Sequence, residues 1–179
     1  MVETHPQITQ ARSQVFDFCA EYAKDPAHGR TLVIYGENGA GKSRMAKQIS
    51  RWAQRISILQ KPVLAKETDK GEVRKPMVEY CSWAEIVDGF KLDEWGKLDD
   101  LRGCELLVVD DIGAEHDPSR IGIEKLYVLL NRREFRWNVF STNVSPAKWT
   151  EKFEKRIASR LFRNALHVDL SQVTDFSKL

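Results

Sequence analysis

The sequence predicts an α/β fold in which helices cover both faces of a central parallel β-sheet. Short apolar segments typical of strands alternate along the chain with longer segments of helical periodicity. One segment, Leu106-Leu107-Val108-Val109, is apolar at every position, which is typical of a central strand buried on both faces. The chain has 179 residues, 42% of them hydrophobic, which suits one domain with a substantial core. We therefore expect a single domain over residues 1–179.

Residues 1–30 are expected to form a helix and a lead-in to the first strand. Apolar side chains recur at helical spacing from residue 8 to residue 24, and Pro26 and Gly29 then mark the end of the helix. The next apolar run, residues 31–35, predicts the first strand. The apolar face of the helix comprises Ile8, Val15, Phe16, Phe18, Cys19 and Tyr22.

The most specific motif of the chain directly follows this strand. Residues 36–43 fit the pattern G-x-x-x-x-G-K-[ST], in which glycines allow backbone N–H groups at a helix N-terminus to surround a phosphate chain. The lysine of the pattern pairs with the β- and γ-phosphates, and the final hydroxyl holds Mg²⁺. We therefore expect a nucleoside triphosphate to be bound by Gly36, Glu37, Asn38, Gly39, Ala40, Gly41, Lys42, Ser43 and the adjoining Arg44.

The remaining elements continue the alternation of helices and strands. Apolar spacing predicts a helix over residues 43–60, and the charged, proline-bounded segment 61–76 is expected to be a linker or hairpin. Ser82 and Glu85 form a capping box for a helix after the strand 77–81. After Leu106–Val109 we expect a helix over 119–134, a strand over 138–142, a helix over 151–163 and a strand over 166–170.

Two acidic residues follow the most apolar strand. Because ligands gather at the carboxyl ends of parallel strands, we expect Asp110 to hold the shell of the Mg²⁺ ion. Asp111 would then orient the attacking water. The alternative for either residue is a solvated or helix-capping acid at the end of a strand.

Polar residues near the end of the chain complete the predicted site. Asn143 follows an apolar strand, where its amide is a candidate partner for the γ-phosphate or the water; the alternative is a turn residue. Arg156 and Arg160 lie four residues apart on one helical face. An arginine supplied by a neighbouring subunit can stabilise the transferring phosphoryl group, although exposed arginines on helices are usually only solvated.

Composition excludes several classes of protein. The net charge of +2 is too balanced to indicate a nucleic-acid binder by itself, and it neither supports nor excludes DNA as a partner. The three cysteines form no C-x-x-C pair, which argues against a disulfide framework or a zinc site. We expect a cytoplasmic protein with no membrane partner, because the sequence has neither a long apolar span nor a secretion signal.

The order of these motifs resembles the DnaC/IstB branch of the AAA+ ATPases, which comprises bacterial and phage helicase loaders and transposition ATPases. The resemblance rests on residues 36–43, Leu106–Gly113, Ser141–Pro146 and Arg156–Leu161. It implies a three-layer P-loop NTPase fold with a five-stranded parallel sheet. It also implies a homo-oligomeric ring or helical filament with ATP and Mg²⁺ between subunits. Within that assembly, the resemblance implies Asp111 as the water-orienting acid, Asn143 as sensor 1, Arg160 as an arginine finger in trans and Arg156 as its companion.

The resemblance further implies single-stranded DNA and a replicative helicase or transposase as partners. It is incomplete at the end of the chain, because too few residues follow Arg160 for a C-terminal lid domain and Ser177–Leu179 contains no arginine for a second sensor. Candidate phosphate contacts are the basic residues of Lys61–Lys75, the pair Arg120 and Lys125, and the cluster Arg132, Arg133 and Arg136; the alternative is that all are solvated.

Three other functions fit parts of the pattern. A transposition helper ATPase would share every motif named above. A small-molecule P-loop kinase would share the phosphate loop, but an arginine-rich lid after the sheet is missing. A regulatory subunit that binds ATP without hydrolysing it, and without binding DNA, would share the same fold.

Overall fold

The computed structural model describes residues 6–60, 72–91, 101–114 and 120–173. Its helices are α1 (Pro6–Lys24), α2 (Lys42–Arg55), α3 (Trp83–Lys91), α4 (Ile121–Arg132) and α5 (Trp149–Phe162), with a 3₁₀ turn at Pro146–Lys148. Its strands are β1 (Thr31–Tyr35), β2 (Ile58–Gln60), β3 (Glu72–Arg74), β4 (Val78–Ser82), β5 (Leu106–Asp110), β6 (Trp137–Thr142) and β7 (Ala165–Asp169).

The main sheet has five parallel strands in the order β4-β5-β6-β1-β7. Side chains of β5 alternate between two separate cores, because successive residues of a strand point to opposite faces. Leu107 and Val109 pack with residues of α3, α4 and α5. Leu106 and Val108 pack with residues of α1 and α2 on the other face. The predicted three-layer arrangement and buried central strand are therefore confirmed.

The segment after the phosphate loop differs from the prediction. Helix α2 ends at Arg55 instead of residue 60, and β2 pairs with β3 in an antiparallel ladder. Ile56 already has extended backbone angles, and Ile58 is buried in the strand. The strand predicted for residues 77–81 lies at Val78–Ser82. The expected hairpin is described only at its two strands, since residues 61–71 lie outside the described part of the chain.

The parallel sheet brings the carboxyl ends of its strands to one edge. Ser82 is in register with Asp110 across β4 and β5, and Tyr35 is in register with Thr142 across β1 and β6. The phosphate-binding motif and the predicted polar residues therefore emerge from neighbouring strands at the same edge. No helix in the described ranges is long and apolar enough to span a bilayer.

Candidate nucleotide-binding site

The motif of residues 36–43 forms a turn that runs from β1 into α2. Gly36 passes so close to the chain after β7 that a Cβ atom there would lie 2.7 Å from the backbone carbonyl carbon of Leu170. Gly41, directly before α2, has a φ of 92°, a conformation that side chains disfavour. The first residue of α2 is Lys42, so the backbone N–H groups at the start of this helix face the turn.

Lys42 is almost fully buried, with 6% of its surface exposed. Its ammonium group donates a hydrogen bond of 2.9 Å to the backbone carbonyl of Glu37. Burial lowers the pKa of Lys42, and the carboxylates of Asp111 and Asp110 oppose that shift. Among the described residues, the hydrogen-bond acceptor of this buried cation is a neutral carbonyl, an arrangement suited to an anionic ligand.

Asp110 ends β5 and is 7% exposed. The hydroxyl of Tyr80, from β4, donates to its Oδ2 atom at 2.7 Å. The hydroxyl of Ser141, from β6, donates to its Oδ1 atom. Each carboxylate oxygen therefore accepts a hydrogen bond from a different neighbouring strand, which fixes the plane of the carboxylate.

Asp111 turns the chain sharply after β5 and has a φ of 65°. Its backbone N–H donates to the Ser141 hydroxyl at 2.8 Å, and the next N–H, of Ile112, donates to the Ser141 carbonyl at 2.9 Å. Burial and the neighbouring charge of Asp110 raise the pKa of Asp111, while Lys42 opposes the shift. A carboxylate with a raised pKa is a better proton acceptor than an ordinary aspartate.

Asn143 is exposed and lies directly after β6. Because Thr142 is in register with Tyr35, Asn143 lies beside the start of the phosphate-binding turn. The Thr142 hydroxyl donates to the carbonyl of Ile112 at 2.7 Å and accepts from the N–H of Val144 at 3.1 Å. This pair of bonds ties the loop after β6 to the loop after β5.

A cavity of about 620 Å³ opens between α1 and α2 beside the turn. Its walls are mainly apolar and include Phe16, Met45, Trp52 and the glycine-rich residues 39–41, with Arg44 at the margin. Phe16 belongs to the predicted apolar face of α1, and its side chain is 71% exposed. The sequence contains one indication of this exposure: Val15 and Phe16 are adjacent, and together they make the apolar face of α1 wider than one packed stripe requires.

The two predicted arginines lie away from the turn in the same chain. Arg160 borders a small cavity with Thr31 and Asn138, residues at the amino ends of β1 and β6. The phosphate-binding turn lies at the opposite, carboxyl edge of the sheet, and the length of β1 between the two edges is roughly 13 Å. Arg160 donates to Glu134 at 2.6 Å, and this hydrogen bond lowers the pKa of Glu134. The second carboxylate oxygen of Glu134 accepts a bond of 3.3 Å from Arg163.

Arg156 was predicted to accompany Arg160. Its guanidinium lies 4.5 Å from the centre of the Tyr127 ring, and its Nε atom donates to Glu154 at 3.0 Å. The structure therefore brings Arg163, and not Arg156, onto the same carboxylate as Arg160.

Several basic residues predicted as phosphate contacts already have partners. Arg133 is 1% exposed and cannot reach a bound strand, so its place in that prediction is wrong. Arg74 pairs with Glu105, and Arg120 pairs with Glu154 at 2.5 Å. Lys61, Lys66 and Lys70 lie outside the described residues.

Similarity to known proteins is found at the level of structure and not at the level of sequence. No family model matches the sequence, and no curated protein matches it. Solved structures match over most of the chain. The fold they share with it is a P-loop core of the AAA+ type, and in this chain the strand order is β4-β5-β6-β1-β7.

One of these structures is the DnaC helicase loader, with a TM-score of 0.71 and 15% identity over 92% of this chain and 90% of that chain. DnaI matches with a TM-score of 0.63 and 20% identity over 94% of this chain and 87% of that chain. The replication initiator DnaA, bound to AMPPCP and single-stranded DNA, matches with a TM-score of 0.62 and 17% identity over 89% of this chain. The match spans 46% of that DnaA chain. The predicted resemblance to helicase loaders is confirmed at the level of the fold.

Proposed function

We propose that this chain is a Mg²⁺-dependent ATPase whose complete active sites form between neighbouring subunits. The observation that carries the proposal is the convergence of Lys42, Asp110 and Asp111 at the phosphate-binding edge of the sheet. The electrostatic influence of both carboxylates on the pKa of Lys42 reflects this proximity. A buried cation beside two carboxylates is the charge arrangement that a phosphate chain and a divalent metal would complete.

Each residue has a distinct part in the proposed reaction. The N–H groups of residues 36–44 and the ammonium of Lys42 bind the phosphates, while Ser43 and Asp110 hold the metal shell. Ser43 fits this role because it is exposed in the first turn of α2. Mg²⁺ would neutralise charge on the β- and γ-phosphates.

Hydrolysis requires a water to attack the γ-phosphorus while the bond to the β–γ bridging oxygen breaks, which releases ADP. Asp111 accepts a hydrogen bond from this water and orients it, and its raised pKa favours proton acceptance. Asn143, beside the turn, donates its amide N–H to the γ-phosphate. The apolar cavity between α1 and α2 accommodates the base, with Trp52 and Met45 among its walls.

Arg160 acts on the nucleotide of another subunit. Support comes from its position at the amino edge of the sheet, from which it cannot reach the phosphates held by its own chain. Its side chain remains 24% exposed, so a second copy can approach it. Arg156, exposed one helical turn before Arg160, borders the same interface.

Single-stranded DNA and a replicative helicase are the partners we propose, in the role of a helicase loader. The similarity to DnaC, and to a DnaA structure that holds both AMPPCP and single-stranded DNA, supports this assignment. Lys125, Arg132 and Arg136 remain candidate contacts to the DNA backbone. A transposition helper would use the same site with a transposase as its partner.

The decisive experiment measures ATP turnover per subunit over a range of protein concentrations, with and without single-stranded DNA. We expect the specific rate to rise with concentration and with DNA. A rate that is indifferent to DNA and stays flat even at dilutions where the chain is monomeric would contradict shared active sites, and phosphorylation of an added metabolite would favour a kinase.

Mixing two inactive variants tests action between subunits. Arg160→Ala should bind ATP without turnover, and Asp111→Asn should do the same. A mixture of the two should regain part of the activity, because some interfaces pair an intact Asp111 with an intact Arg160. Lys152→Ala, an exposed change on the same helix, is the control and should keep normal turnover. An inactive mixture would count against an arginine supplied in trans.

A further inference from the structure

We propose that Tyr80 is a positioning residue for the metal site, which holds Asp110 in the orientation that the Mg²⁺ shell requires. The proposal rests on the proposed function, since it assigns a task within the same site. Tyr80 lies on β4, outside every motif that the sequence analysis identified. Its hydroxyl reaches the Oδ2 atom of Asp110 at 2.7 Å.

The register of the sheet explains how a residue from another strand reaches this carboxylate. Asp110 is in register with Ser82, so Tyr80 is two residues away on the neighbouring strand and points to the same face. That face is covered by α2, which begins with Lys42 and Ser43. The Tyr80 hydroxyl therefore lies between the sheet and the helix that would carry the phosphates and metal.

A second contact holds the tyrosine ring from the helix. The ammonium of Lys47 lies 5.7 Å from the centre of the Tyr80 ring, within the range of a cation–π interaction. Lys47 is one helical turn after Ser43, so both side chains project from neighbouring positions on α2. Lys47, Tyr80 and Asp110 thus form a continuous chain of contacts from the metal-binding end of α2 to β5.

The chemistry of the carboxylate gives this chain of contacts a function. A carboxylate has about four lone-pair positions, and the hydroxyls of Tyr80 and Ser141 occupy one on each oxygen of Asp110. The remaining positions are then fixed in direction and available to metal-bound water. Groups that orient a metal-site carboxylate in this way typically change metal affinity or activity about 10- to 100-fold when they are removed.

The experiment measures the Mg²⁺ dependence of binding of a fluorescent, non-hydrolysable ATP analogue to the full chain. We expect Tyr80→Phe to raise the Mg²⁺ concentration at half-maximal binding about tenfold. Affinity for the analogue in excess chelator should stay unchanged, because the phosphate-binding turn is intact. A Mg²⁺ midpoint equal to that of the wild type would overturn the proposal.

Tyr22→Phe is the matched control. The Tyr22 side chain is fully buried and its hydroxyl has no hydrogen-bond partner within the described residues, so its removal should not move the Mg²⁺ midpoint. An equal shift in both variants would also refute a specific role for Tyr80.

A substitute variant and the wild-type chain complete the experiment. If Tyr80→Phe shows no cooperative thermal unfolding, Lys47→Met replaces it; this variant frees the ring and should raise the midpoint about two- to fivefold. An unchanged midpoint in Lys47→Met would then overturn the proposal. A wild-type chain whose analogue binding is indifferent to Mg²⁺ would instead contradict the proposed function itself.

Discussion

Replacement of Arg133 by methionine should destabilise the fold more than any neighbouring surface change. The buried guanidinium donates to the carbonyls of Leu101, Cys104 and Trp137, each at 2.9 Å, and to the Asn138 side chain at 2.5 Å. These bonds connect the chain before β5 to the start of β6. Burial lowers the pKa of Arg133 to about 10, which reflects the cost of holding this cation away from water.

The magnitude follows from the partners that the substitution leaves behind. Each buried acceptor without a donor costs about 1–3 kcal/mol, so the loss of these four bonds costs about 4 kcal/mol even at the lower limit. Methionine no longer requires a charge to be buried, and this offsets part of the cost. We therefore expect the free energy of unfolding to fall by about 3 kcal/mol, or roughly 6–12 °C in Tm.

Equilibrium unfolding in urea, followed by circular dichroism, measures this difference. Arg132→Met is the matched control, since Arg132 is adjacent and exposed and its loss should change stability by less than about 0.5 kcal/mol. The free energy of unfolding of Arg133→Lys should lie between those of Arg133→Met and Arg132→Met, because an ammonium cannot reproduce the planar fork of donors of a guanidinium. If the free energies of unfolding of Arg133→Met and Arg132→Met differ by less than about 1 kcal/mol, the buried hydrogen bonds of Arg133 do not contribute the stability assigned to them.

Three further predictions concern the phosphate-binding edge. Because the pKa of Asp111 is raised, the folded chain binds that proton more tightly than the unfolded chain, and the ionised form reduces stability at neutral pH. Asp111→Asn should therefore raise Tm at pH 7, and this gain should shrink as the pH falls through the raised pKa and be absent below about 3.9; an equal gain in Tm at pH 7 and at a pH below about 3.9 would contradict this. Lys42→Ala should abolish ATP binding in calorimetry, and near-normal affinity would refute its phosphate role. Gly36→Ala should lower Tm more than Gly41→Ala, because a Cβ at Gly36 meets backbone at 2.7 Å whereas one at Gly41 meets nothing within 4 Å. The reverse order would show that backbone conformation outweighs the steric clash.

Local patterns were sufficient to predict most of the sheet. The first strand lies at residues 31–35 as expected, and the uniformly apolar Leu106–Val109 run is buried on both faces. The glycine-rich motif could be placed between a strand and a helix because glycine spacing and helix periodicity are both local signals. Where the local signal was ambiguous the prediction was wrong: Ile56 continues the apolar face of α2 but already lies outside the helix.

Features that depend on distant contacts could not be predicted from the sequence. Arg133 lies next to Arg132 and close to Arg136, a pattern typical of a solvated basic cluster. Its burial depends on carbonyls near residue 101, which the fold brings together across a separation of about thirty residues. Tyr80 is equally inconspicuous, since one aromatic residue in a strand ordinarily indicates core packing. Only the register between β4 and β5 places its hydroxyl on Asp110.

The opposite locations of Lys42 and Arg160 give any shared-site assembly a direction. A site that uses both must join the carboxyl edge of one sheet to the amino edge of the next, so each subunit contributes two different surfaces. An open row of subunits then ends in one phosphate loop without an arginine and one arginine without a phosphate loop. A closed ring leaves neither end unsatisfied. Turnover per subunit should consequently increase with the length of an open filament, whereas in a ring it is fixed once the ring closes.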